Sequence, residues 1–152
     1  MKRQRSSTVP SSRDRLLIRR IAWFRYQLRQ FVRFSEKASR ARGVTPQHHQ
    51  LLLGIAGYTG RGWATVSELA EFLQQRHNAV VGLVERAAQK GLVRKEQGAR
   101  DRRFVRVLLT PQGEAVLAKL TELHRDELAR VRARLLTASR IRPPRVRQSP
   151  GA

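Results

Sequence analysis

Polar and basic side chains lie at the start of a predicted helix that spans about residues 78–90. The apolar residues of this segment recur three or four positions apart, as on the buried face of a helix, and they are Val80, Leu83, Val84 and Ala87. The residues before and between them are therefore expected to point outward. Arginine can bind guanine bidentately, asparagine and glutamine can bind adenine, and valine can contact a thymine methyl group. The side chains that we predict to contact DNA here are Gln75, Arg76, His77, Asn78 and Val81.

A second basic cluster occupies a predicted β-hairpin that follows this helix. Residues 92–96 and 104–109 have a strand-like composition, and the turn between them contains Gly98. A thin basic loop beside a helix in the major groove can reach the adjacent minor groove, where arginine is favoured. The alternative is a solvated basic surface that only keeps the protein soluble. The basic residues of the hairpin are Arg94, Lys95, Arg100, Arg102, Arg103 and Arg106.

The elements that would hold these clusters form a helix-turn-helix unit followed by a wing. Thr45-Pro46 starts a helix that we expect to run to about Tyr58, and the residues after it favour a short extended segment at 63–65. Thr65 and Glu68 have the spacing of a capping box at the start of the next, short helix. Gly91 supplies the left-handed end of the longer helix. This order predicts a mainly α fold with a small two-stranded β-wing.

The composition points to a polyanionic partner. The chain has 152 residues, with 32 Lys and Arg against 11 Asp and Glu, so its formal net charge is +21. A protein of this size rarely carries such a charge without binding a polyanion. The chain contains no cysteine, which excludes disulfides, thiolate metal ligands and thiol switches. No apolar run approaches the roughly 20 residues of a membrane span, so we expect a cytoplasmic protein without membrane contact.

Catalytic and metal-binding patterns are missing from the sequence. It contains no phosphate-binding Gly-rich loop, no dinucleotide-binding glycine pattern and no zinc-protease histidine pair on a helix. His48 and His49 are adjacent, so on a helix they would point about 100° apart and could not easily share a metal ion. We interpret the histidines as polar residues of helix surfaces, with a base or phosphate contact as the alternative for His77. The sequence predicts no enzyme activity, no cofactor and no metal site.

Two long amphipathic helices flank this unit and predict a homodimer. Residues 14–41 contain no Pro or Gly, and an apolar seam recurs along them at alternating spacings of four and three. A helix of this length spans nearly 40 Å, which is more than one small domain covers easily. The alternative is a core helix that packs only within its own chain. The residues predicted for dimerisation are Leu17, Ile21, Phe24 and Leu28 near one end of the chain, and Leu128, Val131 and Leu135 near the other.

The predicted organisation is an arm, a helix, a DNA-binding unit, further helices and a tail. Residues 1–13 and 139–152 are basic and contain no acid, so we expect flexible arms that are either solvated or in contact with phosphates. Residues 14–42 form the N-terminal dimerisation helix, and residues 43–110 form the winged helix-turn-helix DNA-binding domain. Thr110 is predicted to cap a helix with Pro111 at its first position, and residues 111–138 form the C-terminal dimerisation helices. The aromatic residues of the first helix are expected in the dimer core, with an effector pocket as the alternative.

The segment from Thr45 to Gly113 resembles the MarR family of bacterial winged-helix regulators. The resemblance rests on the order and spacing of several short motifs together, and with the terminal helices it covers roughly residues 14–137. The motifs are Thr45-Pro46-Gln47, Val66-Ser67-Glu68-Leu69-Ala70, Lys90-Gly91-Leu92-Val93-Arg94, Asp101-Arg102-Arg103, and Val107-Leu108-Leu109-Thr110-Pro111-Gln112-Gly113.

The resemblance implies a cytoplasmic, nucleoid-associated homodimer that binds pseudo-palindromic duplex DNA, most often as a repressor. Its first and last helices would form the dimer interface. It also implies small aromatic or anionic effectors that bind between the dimerisation and DNA-reading parts and release the DNA. In the wing, Arg103 would be the family's wing arginine, Arg102 would lie at the tip and Asp101 would orient the loop.

The sequence departs from the family in the helix that is predicted to read bases. Many members carry a Ser/Thr-Val-Thr-Arg run there, whereas this chain has Asn78-Ala79-Val80-Val81-Gly82. Two hydroxyls and an arginine are therefore missing, and base contacts would rest mainly on residues 75–78. An alternative function remains open, that of a non-specific architectural or ribosome-associated nucleic-acid-binding protein, which the net charge and the two basic arms also favour.

Overall fold

The computed structural model describes residues 11–98 and 105–136, and the fold is mainly helical with a small sheet. The chain divides into two compact units, one made of residues 33–126 and the other of the described residues up to 32 and from 127 onward. The helices and strands are α1 (Ser12–Ala41), α2 (Pro46–Leu53), β1 (Trp63–Ala64), α3 (Val66–Leu73), α4 (His77–Gln89), β2 (Val93–Gln97), β3 (Val105–Leu109) and α5 (Pro111–Leu136), with a π-helical turn at Gly54–Tyr58 after α2.

Helix α1 begins at Ser12, two residues before the predicted start at residue 14. The earlier start is due to a capping motif that precedes the apolar seam. The Ser11 N–H and hydroxyl both donate to the Asp14 carboxylate (3.0 and 2.7 Å), and the Asp14 N–H donates to the Ser11 hydroxyl oxygen (3.2 Å). This reciprocal pattern is that of a capping box. The bonds from Ser11 lower the pKa of Asp14, since they favour its carboxylate form. Ser12 and Arg13, which the sequence assigned to the basic arm, therefore belong to the helix.

Helix α2 continues to Tyr58, as predicted, but its last turn is π-helical. Its start also follows the prediction, because the Thr45 side chain accepts a hydrogen bond from the His48 N–H (3.1 Å). Gly54 opens the π-helical turn. A Cβ at this position would lie 2.8 Å from the Phe72 ring, so glycine allows the chain here to approach α3 closely.

Helices α3 and α4 form the predicted helix-turn-helix pair. Thr65 and Glu68 cap α3 with the expected reciprocal bonds. Gln74 takes a left-handed conformation (φ 52°) in the turn, which is unusual for a residue with a side chain. Helix α4 starts and ends one residue before the predicted bounds of 78 and 90. Gly91 follows it with φ +69°, which confirms the left-handed stop.

The predicted hairpin is confirmed as strands β2 and β3, and the extended segment predicted at 63–65 adds β1 to it, so the sheet has three strands. Strand β3 lies in the middle and pairs antiparallel with β1 on one side and β2 on the other. The first pair joins Trp63 to Leu108 and Ala64 to Val107. A strand of two residues is too short to show an alternating pattern, which is why the sequence indicated only an extended segment. Ala64 and Val107 are fully buried and contribute to the core.

The core of the larger unit is formed by one face of each helix and the inner face of the sheet. The four apolar residues predicted to be buried in α4 all belong to it. Its members are Val44, Leu51, Leu52, Ile55, Ala64, Leu69, Val80, Leu83, Val84, Ala87, Leu92, Val93, Val107, Leu117 and Leu120. Helix α4 therefore packs against the core with one face, and its opposite face is exposed.

Helix α5 is one continuous helix that starts directly behind β3. The Thr110 hydroxyl oxygen accepts the Gly113 N–H (3.0 Å), which confirms the predicted cap, and the Thr110 N–H donates to the Leu92 carbonyl (3.1 Å). Gly113 packs directly against that carbonyl, since an added Cβ would lie 2.0 Å from the oxygen. The start of α5 is therefore fixed to the residue before β2. Within residues 11–98 and 105–136, no helix is long and apolar enough to span a membrane.

Three of the four histidines are buried, so their interpretation as helix-surface residues was wrong. His49 Nδ1 lies 3.1 Å from the Ser39 hydroxyl oxygen, and the His49 ring lies 4.8 Å from the ring of His124. Burial, followed by the charge of His124, lowers the pKa of His49 to about 4, so its ring is neutral at pH 7. Periodicity did not reveal this cluster because its members come from separate helices. In the described part of the chain, no group of three or more potential ligands could hold a metal ion.

Candidate nucleic-acid interface

The start of α4 presents a polar surface, because the apolar residues of this helix are turned into the core. Val80, Leu83 and Val84 are at most 2% exposed. The residues predicted to contact DNA at this end are all exposed, and they are Gln75, Arg76, His77, Asn78 and Val81. One face of α4 therefore anchors the helix while the other is open to a groove.

Hydrogen bonds within the turn hold the start of α4 in place. The Gln75 N–H donates to the Ala70 carbonyl (3.0 Å), and the Gln74 side-chain amide donates to the Glu71 carbonyl (2.7 Å). Arg76 is the N-cap residue of α4, but its side chain makes no capping hydrogen bond. The first-turn amides and the N-terminal end of the helix dipole favour a negatively charged group. A phosphate would therefore be attracted to this end of α4 in addition to the base edges.

Two ion pairs involve residues at the base of the wing. Lys95 of β2 pairs with Glu85 of α4, and Arg94 pairs with Glu96 within β2. All four side chains are substantially exposed, so each pair contributes at most about 1 kcal/mol. The pair between Lys95 and Glu85 nevertheless links the wing to the helix beside it. The other predicted wing residues, Arg100, Asp101, Arg102 and Arg103, lie outside the described residues.

A cluster of cationic and aromatic side chains lies next to the wing, and the sequence did not single out its first member, Arg61. The guanidinium carbons of Arg61 and Arg106 lie 3.9 and 4.7 Å from the centroid of the Trp63 ring. Such cation–π contacts hold a guanidinium in place while leaving its edge accessible. Arg61 also pairs with Glu68 at 2.5 Å. Only the pairing of β1 with β3 brings Trp63 and Arg106 together, so no local sequence signal could have found the cluster.

The first part of α1 exposes an apolar row. Phe24 is 52% exposed, and Leu17, Ile21 and Leu28 are exposed to a similar degree. In the last part of α5, Leu128 is exposed whereas Val131 and Leu135 are half-buried. Monomeric soluble proteins rarely expose contiguous apolar surface of this kind without a partner for it. The row therefore has the character of an interface.

Comparison with known proteins decides the family. A sequence model of the MarR family matches residues 42–103. The HTH-type transcriptional repressor MdtR of Bacillus subtilis is 30% identical over 112 residues, which are 64% of this chain and 70% of MdtR. The chain belongs to the MarR family. As a MarR-family protein it is a transcriptional regulator that binds DNA.

Solved structures of MarR-family proteins share the fold. AbsC, a MarR family transcriptional regulator from Streptomyces coelicolor, matches with a TM-score of 0.67 and 22% identity, covering 84% of this chain and 83% of AbsC. A mutant of MarR from E. coli, complexed with operator DNA, matches with a TM-score of 0.60 and 20% identity, covering 70% of this chain and 75% of that one. These likenesses confirm the predicted winged helix-turn-helix fold with long terminal helices.

Proposed function

We propose that this MarR-family regulator is a repressor that binds a pseudo-palindromic duplex operator as a homodimer. In each subunit α4 enters the major groove, and the wing reaches the adjacent minor groove through Arg94, Arg100, Arg102 and Arg103, while Asp101 orients its loop. The observation that carries the proposal is the exposed polar surface at the start of α4, which a fully buried apolar face holds in place. The relative MdtR is named a repressor, which supports that role here.

The residue types at the start of α4 suit sequence reading. Asn78 and Gln75 can each bind an adenine edge with two hydrogen bonds, and Arg76 can do the same with guanine. Val81 offers a methyl group for contact with thymine. Each correct bidentate contact discriminates against a wrong base by about 1–3 kcal/mol. This surface therefore favours a sequence-specific regulator over a binder that attracts any phosphate backbone.

The apolar row on α1 supports the homodimer. Full burial of a Leu, Ile or Phe side chain is worth roughly 1.5–3 kcal/mol, and the members of this row are already about half buried. A two-fold dimer formed along this row would present two copies of α4 to DNA. Its half-sites would then lie about one helical turn apart, roughly 10 bp or a multiple of it.

A cavity of about 460 Å³ in the larger unit supports an effector site. Its size lies within the range of small-molecule sites. Its wall is mostly apolar, and of the lining residues Glu114 alone is charged. This chemistry favours a neutral or cationic aromatic effector over an anionic one. The lining residues are Ala56, Gly62, Leu109, Glu114, Leu117, Ala118 and Thr121.

Selection of bound duplexes from a random DNA library, at about 0.15 M salt, tests the proposal. At this ionic strength generic phosphate attraction is weakened, because log affinity falls by about 0.9 per neutralised phosphate per decade of salt. We expect an enriched inverted repeat with half-sites about 10 bp apart or a multiple of that distance. Strong binding without any enriched sequence would contradict the proposal and favour the architectural function.

A further inference from the structure

A second cavity lies between the start of α2 and the end of α4, apart from the reading surface. It has a volume of about 330 Å³, and its wall includes Arg86 in the last turn of α4 and Lys90, the residue that caps the end of this helix. None of its lining residues is acidic, and within the described ranges neither cation forms an ion pair. The lining residues are Thr45, Gln47, His48, Leu83, Arg86, Gln89 and Lys90.

A buried imidazole also lines this cavity. His48 is 3% exposed, and its Nδ1 has no hydrogen-bond partner among the residues that the structure describes. Burial, followed by the positive charges of Lys90 and Arg86, lowers the pKa of His48. The two cations therefore act on the ring electrostatically, and they favour its neutral form.

We propose that this cavity binds a small oxyanion, a phosphate or carboxylate group, with Arg86 and Lys90 as its charged partners and His48 beside them. Hydrogen bonds from guanidinium or ammonium groups to an oxyanion are among the stronger ones in proteins. The first turn of α2 adds the favourable end of its dipole, next to Gln47. The site is separate from the apolar cavity beside Glu114, and its existence does not depend on operator binding.

An alternative explanation accounts for only part of this arrangement. Cations near the C-terminal end of a helix compensate the negative end of its dipole, and this would suffice to place Arg86 and Lys90 at the end of α4. It does not explain why both cations border a cavity together with a buried imidazole that has an unused nitrogen. A bound oxyanion explains both observations, because it pairs with the two cations and its oxygen atoms can accept a hydrogen bond from the imidazole.

His48 can report on the occupancy of the site. A bound oxyanion offsets the charges of Arg86 and Lys90, so it should raise the pKa of His48 toward its ordinary value. By linkage, the oxyanion should bind more tightly as the pH falls. The full-length protein without DNA is titrated with sodium phosphate or sodium benzoate, with sodium chloride keeping the ionic strength constant, while NMR follows the imidazole signals. The variant His48→Gln assigns the relevant signal.

We expect a saturable rise of at least half a unit in the pKa of His48. A response to phosphate alone identifies a phosphate site, and a response to benzoate alone identifies a carboxylate site. The double variant Arg86→Gln/Lys90→Gln should weaken the affinity for the active probe at least tenfold. The matched control Arg125→Gln/Arg132→Gln, which removes two exposed charges from α5, should change it less than twofold.

Three results would overturn the proposal. They are a His48 signal that responds to neither probe, a response that sodium chloride reproduces, and an equal loss of affinity in the control variant. The last two would mean that the net charge of the protein attracts anions without a defined site. Circular dichroism checks that each variant is folded, and the single variant Lys90→Gln replaces the double variant if it is not. DNA selection does not enter this test, so its outcome is independent of the proposed operator binding.

Discussion

Replacing Gly113 by alanine should destabilise the protein, although alanine is normally the better helix residue. An added Cβ would lie 2.0 Å from the carbonyl oxygen of Leu92 and 3.0 Å from its carbonyl carbon. A carbon and an oxygen atom can approach to about 3.3 Å without steric overlap. The methyl group and the Leu92 carbonyl oxygen must therefore move apart by about 1.3 Å, which requires a shift of the backbone. The same carbonyl accepts the Thr110 N–H, so this movement would also disturb the cap of α5.

The magnitude follows from two opposing terms. Overpacking costs about 1–3 kcal/mol and occasionally more, and a backbone carbonyl cannot rotate away as a side chain can, so we take about 3 kcal/mol. The helix propensity of alanine recovers about 1 kcal/mol of this. The net loss should be about 2 kcal/mol, which corresponds to a fall in Tm of about 4–8 °C for a chain of this size.

The matched control is Gly82→Ala in α4. An added Cβ at position 82 meets only the tip of the flexible Arg86 side chain, at 3.2 Å. This variant should therefore gain up to about 1 kcal/mol. Urea unfolding followed by circular dichroism measures both changes, at one fixed protein concentration because the stability of a dimer depends on concentration. A Gly113→Ala variant as stable as the wild type, or two glycine variants that shift in the same direction, would refute the reasoning.

Three further changes test other parts of the structure. Thr65→Ala removes the hydroxyl of the α3 capping box and should cost about 1 kcal/mol in urea unfolding, whereas Thr65→Ser should keep most of the stability; an equal loss in both would contradict the role of the hydroxyl. Between pH 7 and 5 the wild type should lose about 2 kcal/mol more stability than His49→Gln, because the folded pKa of about 4 lies below the unfolded value of about 6.5. This stability is complete above the unfolded pKa and is lost as the pH falls toward the folded one, so parallel pH curves would rule the explanation out. Asn78→Ala should change the base preference at one position of each half-site in a DNA selection; a uniform loss over all sequences would indicate a phosphate contact instead.

Local signals in the sequence were sufficient to predict most helices. Thr45 and Thr110 cap their helices as expected, and Gly91 ends α4, because these effects depend on residues only a few positions apart. The buried face of α4 followed from apolar spacing alone. The exposed surface at its start was therefore predictable as well, since it is the opposite face of the same helix.

Contacts between distant segments were not predictable from these signals. Strand β1 exists because Trp63 and Ala64 pair with residues more than forty positions later. The burial of His49 depends on Ser39 and on His124, which lie on other helices. None of these segments carries a local sequence pattern that indicates its pairing or burial, because both depend on how distant parts of the chain pack together.

The two strands of the wing are joined to each other at their base. The Thr110 N–H and hydroxyl donate to the carbonyls of Leu92 and Gly91, so the chain going out at β2 and returning at β3 is held together at its base. For protein engineering, this junction makes the sequence between Gln97 and Val105 a suitable segment to exchange. We expect wing sequences of different length or charge to be accommodated there, because the contacts of Thr110 that fix the start of α5 lie outside the exchanged segment. Evolution can use the same freedom to change the length and charge of this segment without rebuilding the fold.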